Sequence, residues 1–424
     1  MDLNSYLKVK ARIGNIIQHF IFILLLALAF TNVYAFEIMG LQFSFYIVFG
    51  ALFVVLISII KLKTPPFYKN IAFFIFIYII TSSLINYTSF KITSIIYSFL
   101  FVVYYIYISY YFKENLNLEK YLKALKIVLW SFFIILICAQ ISVFFDLQQI
   151  EKTGAYFQGV GELGVEYNFR TNTYRYFSLS SEPSYAAIIV LISFALLIKH
   201  ITNKRELYLY TTIVLYMILS FKSSIGFLGL FFLFFSFIKI SKKYFPIIIF
   251  VILIILILFF FTEIGGKGVN RIRNIVFLFF TEFNNFFEAL NIKDSSAYAR
   301  IGPFAEYIKD TDFLGYKFYI GHGSNASEAY FSKIVYPEVW NKDMVFRPPF
   351  IPGFLYDYGI FGVLLVGLFF WRLVRNKSFF YKAMILLVIF NSNFNTQLFW
   401  FLIVMITMDN YFRPQKMISI KLTV

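Results

Sequence analysis

Residues 8–35 read Lys8-Val-Lys10-Ala-Arg12-Ile-Gly-Asn15-Ile-Ile-Gln-His19-Phe-Ile-Phe-Ile-Leu-Leu-Leu-Ala-Leu-Ala-Phe-Thr-Asn-Val33-Tyr34-Ala35. Three cations precede an apolar run of the length that crosses a bilayer as a helix, about 20 residues. The run ends in a faintly signal-like Val33-Tyr34-Ala35, but its length favours an uncleaved first span. Similar runs recur along the whole chain, at about 43–60, 70–86, 92–111, 124–145, 183–199, 206–220, 224–239, 244–262, 351–371, 380–391 and 397–411. The sequence therefore predicts an all-α polytopic membrane protein of about twelve transmembrane helices, with residues 1–424 forming a single transmembrane bundle.

Composition excludes the alternatives. The chain is 60% hydrophobic and only 14% charged, against roughly 25% charged in soluble domains. Its formal net charge of +16 suggests nucleic acid until the cations are placed. They fall in alternate loops: Lys8/Lys10/Arg12, Lys61/Lys63/Lys69, Lys113 to Lys126, Lys199/Lys204/Arg205, Lys239/Lys242/Lys243, Arg372 to Lys382, and Arg413/Lys416/Lys421. The positive-inside rule makes that side the cytoplasm and places both termini there. The short loops opposite contain only Lys91 and Lys222. The positive charge thus records orientation toward a lipid bilayer, and no nucleic-acid partner is expected. Cys138 is the single cysteine and lies in an apolar run, which removes disulfide frameworks and cysteine metal clusters.

Two segments, 146–182 and 263–350, are far longer than the other connections and fall on the non-cytoplasmic side. Length of this kind implies internal structure or function. In the second, Ile272, Val276, Phe279, Phe283 and Phe287 recur at roughly helical spacing, which predicts an interfacial helix; a further helix is expected from Ala297 to Lys309. The span centres contain almost no ionisable residues, unlike ion-coupled transporters.

The first long loop ends Arg170-Thr-Asn-Thr-Tyr-Arg175-Tyr-Phe-Ser178-Leu-Ser-Ser181-Glu182-Pro183-Ser184. Ser181, Glu182 and Pro183 also suit an ordinary helix start. A span beginning there points its positive dipole end outward, where it can receive an anion beside Arg175. The second loop contains Ser296-Ala-Tyr-Ala-Arg300 and Gly321-His322-Gly323-Ser324. It then runs through Arg347-Pro-Pro-Phe-Ile-Pro-Gly-Phe-Leu-Tyr-Asp357-Tyr-Gly359.

These segments resemble those of Wzy-type O-antigen and capsular polysaccharide polymerases: R-x-x-G-x-x-x-E-P-S, with Ser178 in the place of a frequent glycine, an arginine-bearing helix followed by G-x-G, and an acid two residues before Gly359. Related ligases and many of the polymerases carry His-Asn about nine residues before that acid, where this chain has Pro348 and Pro349, so a histidine mechanism at that position is not expected.

The resemblance implies a membrane glycosyltransferase (GT-C-like) fold in a bacterial inner membrane. The implied activity is transfer of a growing glycan from undecaprenyl pyrophosphate to a hydroxyl of a new lipid-linked repeat unit on the periplasmic face, inverting, with no cofactor. Undecaprenyl-pyrophosphate-linked glycans and a chain-length regulator are the implied partners. The O-antigen ligase and a polyprenyl-linked oligosaccharide flippase are the alternatives.

Such chemistry needs cations for the pyrophosphate and a base for the acceptor hydroxyl. Arg175, Arg300, Arg347 and Arg170 are the candidate cations, since guanidinium forks hold phosphate oxygens. Glu182 is the first candidate base, followed by His322 and Asp357. Asp310-Thr311-Asp312 forms a D-x-D, the metal motif of many glycosyltransferases, but it is set aside as fortuitous and no metal is expected.

Overall fold

The computed structural model describes residues 3–31, 34–38, 41–60, 64–87, 90–147, 150–152, 158–161, 164–168, 173–237, 266–335 and 346–412. Helices account for 77% of the structure. In chain order they are α1 (Leu3–Ala29), α2 (Phe45–Ile59), α3 (Ile71–Ile85), α4 (Ile92–Asn115), α5 (Leu118–Phe144), α6 (Pro183–Ile198), α7 (Lys204–Phe221) and α8 (Ser224–Phe237). There follow α9 (Gly266–Thr281), α10 (Phe286–Lys293), α11 (Ser295–Asp310), α12 (Tyr316–Ile320), α13 (Ala326–Val335), α14 (Phe350–Val374), α15 (Phe379–Ile389) and α16 (Gln397–Asp409).

Eleven of the twelve expected spans coincide with helices; the ninth, 244–262, lies outside the described residues. Among the described residues, Ile92–Phe112, Leu118–Phe144 and Phe350–Val374 are long and apolar enough to cross a membrane. These helices are compatible with a membrane protein.

The all-α expectation is corrected in two places. β1 (Tyr34–Ile38) and β2 (Leu41–Ser44) form an antiparallel hairpin, and β3 (Ile150–Lys152), β4 (Gln158–Gly161), β5 (Val165–Asn168) and β6 (Thr173–Tyr176) form a four-stranded antiparallel meander inside the first long loop. Strands of three to five residues are too short to show a clear period-two pattern, which is why the sequence alone reads them as loop.

The chain divides into two compact units. The first contains residues 1–76, 96–221 and 395–424; the second contains 77–95 and 222–394. In the first, α6 has Pro183 at its first turn, where a missing N–H costs nothing, and its side chains from Ala186 to Val190 are fully buried. An apolar helix buried on every side is a core helix. Gln397 donates to the carbonyls of Ala27, Leu28 and Phe30 at the end of α1. It thereby satisfies groups that a helix terminus leaves without partners.

In the second unit, Leu278, Leu290, Tyr298, Tyr307, Phe331 and Leu355 form a buried core. The helices expected in the second long loop correspond to α9 and α11, but the expected stripe from Ile272 to Phe287 is broken: α9 ends at Thr281, Phe283 begins a 3-10 turn and Phe287 lies on α10. On α9 it is Leu278 that turns inward, while Phe277, Phe279 and Phe280 are exposed.

Candidate functional site

The site in the second unit begins with a break in a helix. Gly359 interrupts α14 with φ 64° and ψ −173°. The Gly321-His322-Gly323 turn packs into that break: His322 N–H donates to the Tyr356 carbonyl at 3.0 Å and Gly323 N–H to the Asp357 carbonyl at 2.9 Å. Gly321 has φ 92°, and a Cβ there would lie 2.2 Å from the Asp357 carbonyl oxygen; a Cβ on Gly359 would lie 2.4 Å from that of Tyr319. Only glycine meets both the left-handed backbone and the close approach. Three donors from α3 complete the joint. Tyr78 donates to the Tyr358 carbonyl at 2.9 Å, Ser82 to Ile320 at 2.7 Å, and Asn86, the first residue after the helix end, to Gly321 at 3.1 Å.

Beside this joint lies a pocket of about 370 Å³ in the second unit. Tyr307, Asp310, Asp312, Lys317, His322, Tyr330 and Tyr356 are among its lining residues. His322, Tyr356 and Tyr330 form a column of rings: His322 and Tyr356 have centroids 4.0 Å apart, Tyr356 and Tyr330 4.5 Å apart, both pairs stacked. Tyr307 meets Tyr356 edge-on, a favoured aromatic geometry. The Tyr330 hydroxyl donates to Asp310 Oδ2 at 3.0 Å. Burial, reinforced by that carboxylate, pushes its pKa up, so the phenol stays a donor. Asp312 Oδ1 accepts the Leu314 N–H and fixes the turn before α12.

His322 is half-buried, and its Nδ1–H donates to the Tyr356 carbonyl. That bond leaves the lone pair of the neutral ring on Nε2. Burial pushes the imidazole pKa down; the hydrogen bond to Tyr356 opposes this and the nearby Lys317 ammonium adds to it. A neutral imidazole of fixed tautomer at neutral pH is suited to accept a proton.

The other expected site residues are placed as follows. Asp357 is buried, and its carboxylate accepts the N–H groups of Asn325 at 3.1 Å and Ser327 at 2.7 Å, at the start of α13. It anchors that helix start rather than capping its own span. Arg347 is exposed and lies 3.4 Å from Glu328, which also pairs with Lys91 at 2.6 Å. Arg300 donates from Nε to Asn391.

In the first unit, the β5–β6 register sets Arg175 opposite Glu166, and the two form an ion pair of 2.8 Å. Glu182 is the residue before α6; it accepts the Ser184 hydroxyl at 3.0 Å. Ser181 N–H and Ser180 both bond to Thr31, which docks this segment on the end of α1. Arg170 lies outside the described residues.

Three features escaped the sequence reading. Tyr307, Tyr330, Tyr356 and Lys317 are unremarkable in a chain with 32 tyrosines until the fold gathers them. Asp310 and Asp312, set aside as fortuitous, line the same pocket as His322. The α3 donors, spaced four apart at 78, 82 and 86, were a legible signal, since that spacing puts them on one face of a helix. Among the described residues, no group of three or more His, Cys, Asp or Glu is arranged to hold a metal ion. No protein-family model matches the chain, and no curated protein or solved structure is detectably similar to it.

Proposed function

We propose that this chain is a membrane glycosyltransferase that polymerises undecaprenyl-pyrophosphate-linked repeat units of a bacterial surface polysaccharide, acting on the periplasmic face of the inner membrane. The observation that carries this reading is the aromatic pocket in which His322, held as the neutral Nδ1–H tautomer, lies with Tyr330, Tyr356, Asp310 and Asp312.

In the step we propose, His322 Nε2 takes the proton of the acceptor hydroxyl. The acceptor oxygen bonds to the anomeric carbon of the donor glycan as its bond to the pyrophosphate oxygen breaks, with inversion. The lipid pyrophosphate departs with the bonding pair, and Arg300 and Arg347, which belong to the same unit as His322, are the cations assigned to its charge. Of the candidate bases, His322 is favoured over Asp357 because both Asp357 oxygens accept backbone N–H groups.

Backbone geometry supports the resemblance. Ser178, at a position where glycine is expected, has φ 51°, a conformation that glycine adopts at least cost.

The test is the lipid profile of a strain lacking this chain, complemented with the native chain or with His322→Ala. Single repeat units held on lipid in both the deletion and the His322→Ala strain are expected. Long polymer left unattached would indicate a ligase, and repeat units trapped on the cytoplasmic side a flippase.

A further inference from the structure

We propose that the pocket of the second unit is a charge-selective subsite for the acceptor's terminal sugar, taking a neutral or amino sugar and rejecting a uronic acid. The inference rests on reading the chain as a glycosyltransferase, and concerns which saccharide that site admits.

Size comes first. A volume of about 370 Å³ lies at the small end of ligand pockets, which span roughly 300–1,000 Å³. It suits a terminal sugar unit rather than a length of glycan. The lining has the two-sided character of a pyranose, which alternates apolar C–H faces with hydroxyl edges. Tyr307, Tyr316, Phe318, Tyr330 and Tyr356 supply apolar surface, and Asp310, Asp312, Thr311 and His322 supply polar atoms.

The charge balance then decides between sugars. Asp310 and Asp312 contribute two negative charges, Lys317 one positive charge, and the neutral His322 none. The pocket therefore has a negative excess. Asp310 is held against the Tyr330 hydroxyl at 3.0 Å and Asp312 against the Leu314 N–H at 3.1 Å, so neither carboxylate can swing away without losing a hydrogen bond. A sugar carboxylate entering here meets like charge, which selects by repulsion. A sugar ammonium meets carboxylates and aromatic rings, both of which attract cations.

The experiment uses the full chain in lipid nanodiscs, with saturation-transfer NMR reading the binding of three probes: the methyl glycosides of N-acetylglucosamine, glucosamine and glucuronic acid. The first two are expected to bind, and the glucuronide at least about tenfold more weakly. Asp310→Asn with Asp312→Asn should bring the glucuronide to within about threefold of the neutral glycoside, and Lys317→Met should widen the gap. Tyr330→Ala should weaken the neutral probe about tenfold.

Equal binding of the glucuronide by the native chain overturns the proposal. So does binding indifferent to Tyr330→Ala, or no binding of any probe. Selective binding together with normal polymer in the deletion strain would refute the polymerase reading and leave the subsite standing. Single repeat units in that strain together with unselective binding would refute the subsite alone.

Discussion

His322 lies flat on Tyr356, with ring planes 9° from parallel, and its Nδ1–H donates to the carbonyl of that same residue. One residue thus fixes both the plane of the imidazole and the nitrogen that carries its proton. Packing and hydrogen bonding act together to hold a single tautomer.

This pairing predicts a pH profile. The folded-state pKa of His322 lies below its usual 6.5, so the unfolded chain binds the proton more readily. Its contribution to stability is complete above pH 6.5 and is lost as pH falls through the depressed folded value. Turnover should be flat from about pH 6.5 to 8 and fall on the acid side as the base is protonated. His322→Ala should lower turnover by about 10²–10⁴-fold and abolish that acid limb. Initial rates measured from pH 5 to 8 on both proteins decide it, and an unchanged acid limb in the variant would remove His322 from the reaction.

The glycine joint predicts a contrast in stability. Gly321→Ala and Gly359→Ala each force a side chain into a left-handed backbone and against a carbonyl at 2.2 or 2.4 Å. Each should cost about 1–3 kcal/mol from backbone strain alone. Gly367→Ala, farther along α14 with nothing within 4 Å of its Cβ, should leave the unfolding midpoint unchanged or raise it. Thermal unfolding in one detergent compares the three.

Asp357→Asn separates anchoring from catalysis. An amide nitrogen in place of one carboxylate oxygen would face a backbone N–H of Asn325 or Ser327, at a cost of about 1–3 kcal/mol. Loss of thermal stability and of activity should therefore appear together. Native stability with abolished turnover would instead make Asp357 a base.

Purified protein should turn over in excess EDTA, because the proposed reaction meets the pyrophosphate charge with arginines. Loss of activity restored by magnesium or manganese would promote Asp310 and Asp312 to metal ligands.

Helix positions were legible in the sequence because a long apolar run admits few alternatives. The apolar run 183–199 predicts a span, and α6 runs from Pro183 to Ile198. The strands were not legible: Thr173–Tyr176 contains only four residues, and what holds it is pairing with Val165–Asn168 rather than its own pattern. Of the site, the Gly321-His322-Gly323 turn and the Asp357-Tyr358-Gly359 break were each visible as motifs. That one fits into the other was not, because the approach depends on φ angles and on donors from α3. Tyr330 and Tyr356 illustrate the same limit, since their stacking joins residues from two helices.

The seam of donors on α3 also bears on how the protein is assembled during synthesis. Tyr78 precedes its partner Tyr358 by 280 positions, so α3 leaves the ribosome long before the segment whose carbonyls it receives. The earlier helix is thus a template already in place when the broken helix arrives, in line with amino-terminal elements folding first. A chain whose early helix lacked Tyr78, Ser82 and Asn86 would deliver the later glycines to an apolar surface with no donors for the exposed carbonyls. The quality-control consequence would be misassembly late in synthesis, traceable to residues made at its beginning.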